Sequence, residues 1–215
     1  MTQAPLILAF DTSAAHCAAA LVSADRLVAA RTEEMGRGQA ERLLPLLEEL
    51  LAEAGQGWQD LTALAVGEGP GNFTGIRIAV AAARGLALGL KVPAIGVSTF
   101  EALGTGLAEP VLASVTAPRG AVYLQAPGGT PLGPLLPEEL PADLRRSGLA
   151  VVGAESEALA RLTGGCALPP HWPLAEAIAR AAAARLGGDA PLPRPLYLRP
   201  ADAAPPRDAP PVLLD

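Results

Sequence analysis

Gly67-Glu68-Gly69-Pro70-Gly71-Asn72-Phe73-Thr74-Gly75-Ile76-Arg77 is the stretch that decides how this chain is read. A short apolar run, Leu64–Gly67, leads into it. A helical pattern leaves it and continues to about Leu90. Glycines and a proline therefore sit at a strand-to-helix junction. There, backbone N–H groups can approach a phosphate at a helix N-terminus. The stretch is not a P-loop, because no Gly-Lys-Ser/Thr follows. It is not a dinucleotide fingerprint either, since Gly69-x-Gly71-x-x-x-Gly75 has one residue too many and the next acid is Glu101. The other reading is a tight connection whose glycines let helix and strand pack closely. Spacing alone leaves both readings open.

Working outward, Leu6–Phe10 is a continuous apolar run that ends at Asp11-Thr12-Ser13, a buried strand followed by a polar turn. Cys17–Val22 and Leu27–Thr32 are two further short strands, which makes a meander. Gln39–Ala54 has helical periodicity, with Leu43, Leu47, Leu50 and Ala54 on one stripe and Leu44 and Leu51 beside it. Pro45 marks its first turn or kinks it, and Gly55 ends it. Beyond the Gly-rich stretch, Pro93 stops the second helix and Ala94–Val97 is a strand. Ser98 with Glu101 forms a capping box.

The second half repeats the theme loosely. Val111–Val115 and Ala121–Gln125 are expected to pair around Pro118-Arg119-Gly120, and 127–141 is loop-rich. A strand at Ala150–Gly153 and helices at Glu155–Leu162 and Leu174–Leu186 follow. The pattern indicates a mixed α/β protein of two related lobes, without a short internal repeat. Residues 1–103 form the N-terminal lobe and 104–200 a smaller, diverged C-terminal lobe. Eight prolines fall within 189–211, so the end of the chain, 201–215 above all, reads as extended and partly disordered.

Composition narrows the function classes. Of 215 residues half are hydrophobic but only 3% aromatic, and 45 are alanine, so the core is built from small aliphatic groups. The net charge of -6 argues against a chain that grips a nucleic acid backbone by itself. Two cysteines, Cys17 and Cys166, make no disulfide framework and suit a reducing cytosol. With only His16 and His171, no paired metal-ligand spacing arises. No basic leader precedes the first apolar run, and no stretch reads as a membrane span.

Three groups of residues are candidates for function. Asp11, Thr12 and Ser13 end a buried strand, where they can hold a metal or a phosphate, or simply bond the turn backbone. Gly69 and Gly71 belong to the possible phosphate loop. The helix from Thr74 to Leu90 is apolar almost all round, with only Arg77 and Arg84 charged. Such a helix must be buried on more than one side. One sheet covers one side; the other meets a partner subunit or the chain's own C-terminal helix. The candidate interface residues are Leu43, Leu47, Leu50, Ile76, Arg77, Val80, Ala83, Arg84 and Ala87. No nucleophile and base can be paired: His16 and Cys17 are adjacent on a strand and point to opposite faces, and His171 lies in a Pro-rich loop.

Taken in order, several segments resemble the TsaB (YeaZ) family. They are Leu6-Ile-Leu-Ala-Phe-Asp11-Thr-Ser, Gln39-Ala-Glu-Arg-Leu-Leu-Pro45, the Gly67–Arg77 stretch, Gly85-Leu-Ala-Leu-Gly89 and Pro93-Ala-Ile-Gly-Val-Ser-Thr99, with Pro195-Leu-Tyr-Leu-Arg199 near the end. The resemblance implies a two-lobed actin-like (ASKHA, ribonuclease H-like) α/β fold. It implies a cytoplasmic, non-catalytic subunit needed to make N6-threonylcarbamoyladenosine at tRNA position 37. Such a subunit pairs with the catalytic transferase TsaD, recruits the ATPase TsaE, and meets tRNA only through the complex. Isolated, it is expected to homodimerise. The glycoprotease (peptidase M22) label attached to this family belongs by this reading to TsaD. Asp11-Thr12 keeps the shape of a first phosphate loop, whereas Gly153-Ala154 reduces the second. ATP or ADP, if bound, is expected near the junction with TsaD. The chain departs from the family at Gln39, where a histidine is usual, and at Thr116-Ala-Pro-Arg119, where Asp-Ala-Arg-Arg is usual. The competing readings are an active ATP-dependent kinase or carbamoyl transferase, and a peptidase.

Overall fold

The computed structural model describes residues 4–188 and 191–198. The Pro-rich segment 201–215 and Arg199 lie outside them. Ten strands form two mixed five-stranded sheets. In the first, β1 (Leu6–Asp11), β2 (His16–Ser23) and β3 (Arg26–Glu34) make an antiparallel meander. β4 (Ala63–Gly67) pairs parallel with β1, and β5 (Ala94–Val97) parallel with β4. The order is β3-β2-β1-β4-β5. β1 and β4 are buried throughout, and both are continuous apolar runs, as expected of strands covered on both faces.

The second sheet is built the same way. β6 (Val111–Thr116), β7 (Val122–Gln125) and β8 (Leu132–Leu135) form its meander. β9 (Ala150–Gly153) pairs parallel with β6, and β10 (Ala167–Leu168) parallel with β9. Read from its third strand, the order β8-β7-β6-β9-β10 repeats that of the first sheet. β8 replaces part of the expected loop at 127–141. Its Pro134 is tolerated because β8 is an edge strand.

Helices α1 (Gln39–Glu53) and α2 (Phe73–Leu90) cover one face of the first sheet. Leu43, Leu46, Leu47 and Leu50 of α1 and Ile76, Ala79, Val80 and Ala83 of α2 join Leu8, Phe10 and Val66 in a single core. Pro45 lies within α1, on its exposed side, where the unpaired carbonyl it leaves can meet water. α4 (Ser156–Thr163) has the corresponding place in the second lobe.

The remaining two helices cross between lobes. α3 (Thr99–Gly104) follows β5, yet its Phe100 packs with Val111, Ala113 and Val152 of the second sheet. α5 (Leu174–Ala183) follows β10, yet it packs on the first sheet, on the face opposite α1 and α2. There Ala177, Ala179, Ala181 and Ala182 meet Ala9, Ala63 and Ala65. Small side chains on both partners let helix and sheet approach closely. Much of the alanine excess is used here. Two like sheets exchanging their last helices give a two-lobed mixed α/β fold.

This packing corrects the expected interface. Leu43, Leu47, Leu50, Ile76, Val80 and Ala83 are at most 3% exposed inside the chain's own core, so they face no partner. Ala87 is partly buried against the same core. Arg77 and Arg84 alone of that group are exposed. The stripes were rightly located as apolar but assigned to the wrong surface, since the sheet takes them. α5 does not cover the other side of α2, because it lies across the sheet.

Candidate functional site: the Asp11 turn, the Gly-rich loop and the outer face of α2

Asp11 ends β1 fully buried. Its Oδ1 accepts hydrogen bonds from the Ser13 amide (2.8 Å), the Ser13 hydroxyl (2.9 Å) and His16 Nε2 (2.7 Å). Its Oδ2 has no partner and lies over Gly67, where a Cβ would approach it to 1.9 Å. The hydrogen bond with Asp11 raises the pKa of His16 above 6.5, burial opposes this, and Glu34 adds to the rise. Ser13 and His16 thus bond one oxygen of one carboxylate. The serine hydroxyl donates to this carboxylate rather than to the His16 imidazole. Burial pushes the Cys17 thiol up to about 11, which leaves it a poor nucleophile.

The Gly-rich loop lies flat on this turn. Thr12 Oγ1 donates to the Gly75 carbonyl (2.7 Å), and the Asn72 amide donates to the Ser13 carbonyl (2.6 Å). A Cβ at Gly71 would come within 2.3 Å of the Ser13 carbonyl oxygen, and one at Gly75 within 1.8 Å of the Thr12 carbonyl oxygen. Gly69 has φ +87°, and its carbonyl accepts from the Thr99 amide (2.8 Å). The Asn72 side chain caps α2 through the Gly75 amide (2.9 Å). These bonds favour the close-packing reading. The glycines are needed because two backbone segments touch.

Of the candidate phosphate-binding residues, Asp11, Thr12 and Gly69 are buried in these contacts, while Ser13 and Gly71 reach the cleft between the lobes. That cleft holds about 440 Å³ and is lined among others by Gln39, Asn72, Thr116 and Tyr123. None of its described lining residues is charged. Gly153, at φ +102°, lets β9 pass close to the Ser114 carbonyl. Among the described residues no three His, Cys, Asp or Glu side chains gather as metal ligands.

A second candidate site is the outward face of α2. Thr74, Arg77, Ala81, Arg84, Gly85 and Leu88 are exposed there, Leu88 to 82%. Leu44 of neighbouring α1 is 45% exposed. At Gly85 and Gly89 a Cβ would meet nothing within 4 Å. α2 is long and apolar enough to cross a membrane by length and composition. Here its inner face is buried against the sheet. Arg77 is held at the first turn: its guanidinium lies 4.2 Å from the Phe73 ring centroid and its Nε donates to the Tyr197 hydroxyl (2.8 Å). Sequence reasoning singled out Arg77 but missed Tyr197, which is 120 residues away; the Leu-Tyr-Leu pattern alone gives no sign of where it docks.

Comparison with known proteins agrees with this architecture. The family described as "TsaD: tRNA N6-adenosine threonylcarbamoyltransferase" matches residues 31–133. The Escherichia coli protein titled "tRNA threonylcarbamoyladenosine biosynthesis protein TsaB" is 43% identical over 122 residues, 54% of this chain and 52% of that protein. The Bacillus subtilis protein of the same title is 35% identical over 123 residues, again 54% and 52%. The match thus spans about half the length of these curated relatives. An uncharacterized Mycobacterium tuberculosis protein is 35% identical over 208 residues, 94% of this chain and 96% of that one. The solved structure of YeaZ from Pseudomonas aeruginosa superposes with a TM-score of 0.72 at 28% identity, covering 90% of this chain and all of YeaZ. In sequence and in the layout of both lobes, the chain belongs to the TsaB/YeaZ family.

Proposed function

We propose that this chain is a non-catalytic scaffold subunit, acting in the cytoplasm, in the pathway that places N6-threonylcarbamoyladenosine in tRNA. The names of the Escherichia coli and Bacillus subtilis relatives support the pathway. The observation that carries the scaffold role is the outer face of α2, a run of small and apolar residues left open on a fully packed lobe. Larger apolar patches of this kind mark sites of association. Its occupant in this reading is a TsaD-like transferase subunit, with a TsaE-like ATPase joining the complex and a second copy of this chain filling the face when TsaD is missing. The net charge of -6 suits a subunit that leaves tRNA contact to its partner.

Co-purification with the same organism's TsaD tests this directly. A stoichiometric complex is expected, and Leu88→Glu should weaken it markedly. Depleting the protein should lower the modified nucleoside in bulk tRNA; normal levels would reject the proposal.

The second reading is an active ATP-dependent kinase or carbamoyl transferase. The interlobe cleft and the unpartnered Asp11 Oδ2 favour it. Calorimetry with Mg-ATP on the isolated protein separates the two, since the scaffold predicts no heat at millimolar nucleotide. Nucleotide bound only in the complex would place ATP or ADP at the subunit junction.

A further inference from the structure

Pro193–Leu198 returns to the first lobe after α5 and runs across the mouth of the Gly-rich loop. The Arg194 amide donates to Glu68 Oε1 (2.7 Å), and the Leu196 amide to the Glu68 carbonyl (2.8 Å). Tyr197 stacks on Phe73 with ring centroids 4.7 Å apart and accepts a hydrogen bond from Arg77. All these partners belong to the first lobe. Leu196 and Leu198, however, pack against the cluster that includes Val111, Ala113, Tyr123 and Val152, the core built on the second sheet. Pro193 is buried, whereas Arg194 and Tyr197 are exposed.

We propose that Pro193–Leu198 is a clasp across the two lobes, which limits their opening and fixes the first turn of α2 with Arg77. Its contacts point both ways: polar and aromatic to one lobe, aliphatic to the other. They are also few. A short segment held by two amide hydrogen bonds to Glu68, one hydrogen bond from Arg77, one stacked ring pair and two leucines opens at a lower free energy than the sheets it spans. It is therefore a unit that can release without unfolding either lobe. On release, Phe73 loses the ring stacked on it and the Arg77 guanidinium loses its fixed orientation. This inference does not depend on the scaffold reading, because it concerns the isolated chain.

Hydrogen exchange on the full chain, comparing the unaltered protein with Tyr197→Ala and Tyr197→Phe, tests the local half. Tyr197→Ala should speed exchange of the Ile76–Val80 amides about tenfold and leave those of Leu46–Leu51 unchanged. Tyr197→Phe keeps the stack and loses only the Arg77 bond, so it should fall between and guards against misfolding of the alanine variant. Equal exchange in all three would overturn the proposal. Spin labels at the exposed native Cys166 and at Asp25→Cys, in the β2–β3 turn, test the cross-lobe half. Their distance distribution should broaden in Tyr197→Ala. Faster exchange with an unchanged distribution would also overturn the clasp, since the segment would then be a local cap.

Discussion

α2 and α4 occupy the same place in their lobes, each following the fourth strand of a like-ordered sheet. Their outer faces differ. α4 turns Glu157 and Arg161 to solvent, an ordinary charged surface. α2 turns out Ala81, Gly85 and Leu88 beside Arg77 and Arg84. α2 is also the longer, 18 residues against 8, and has α1 beside it, where lobe two has only a short 3-10 turn at Pro137–Glu139. One topology serves both lobes, so the fold itself does not require an apolar outer helix. What the first lobe has in excess is surface, and this is the surface that the scaffold reading uses.

The sharpest way to break the comparison is to charge the two faces of α2 separately. Ala83 is fully buried, so Ala83→Glu should cost about 3–5 kcal/mol of stability or prevent folding, as burying an unpaired charge does. Ala81 is exposed, so Ala81→Glu should stay within about 0.5 kcal/mol of the parent. Denaturant unfolding measures both. Equal losses would mean that the two faces are not distinct.

Next are the glycines. Gly75→Ala drives a Cβ into the Thr12 carbonyl and should cost about 2–3 kcal/mol. Gly85→Ala, ten residues along the same helix, enters open space and should gain about 0.5–1 kcal/mol from helix propensity. The two effects have opposite signs in one helix because only one glycine touches another segment of backbone. Association gives the next effect. Leu88→Glu makes α2 resemble α4 and should weaken partner binding about 30-fold or more, roughly 2 kcal/mol, with unfolding unchanged. Glu157→Ala on α4 should leave binding as it was.

The same helix shows what was legible in the sequence. Strand β1, the Asp11 turn and the strand–loop–helix of Gly67–Leu90 followed from local patterns, and the structure places them as read. Which face of α2 meets the sheet did not follow. On a helix apolar nearly all round, periodicity marks no preferred side, and Ile76, Val80 and Ala83 were assigned outward. On α1 the stripe was clear, yet only the packing shows that Leu44 and not Leu43 is open. The two-residue β10 is too short to show alternation, and β8 was hidden by Gly133-Pro134. The exchange of α3 and α5 between lobes, and the docking of Tyr197 on Arg77, are long-range pairings that no window of sequence contains.

A pH-dependent effect separates the two lobes by titration. His16 bonds Asp11 at the end of the first strand, with Glu34 opposite it in register. The corresponding strand end in lobe two is Thr116, which does not titrate. The folded-state pKa of His16 is raised, so its contribution is complete below the unfolded value of 6.5 and is lost as pH rises through the folded value. The contribution should be about 1 kcal/mol, the net size of a typical intramolecular hydrogen bond. Unfolding of the parent and His16→Gln from pH 5.5 to 8.5 should show the gap between them narrow as pH rises. Exchange of β1 amides should follow that trend, and exchange of β6 amides should not. A gap independent of pH would mean that His16 holds the turn as a neutral donor, and that Asp11 is met by a hydrogen bond rather than a charge.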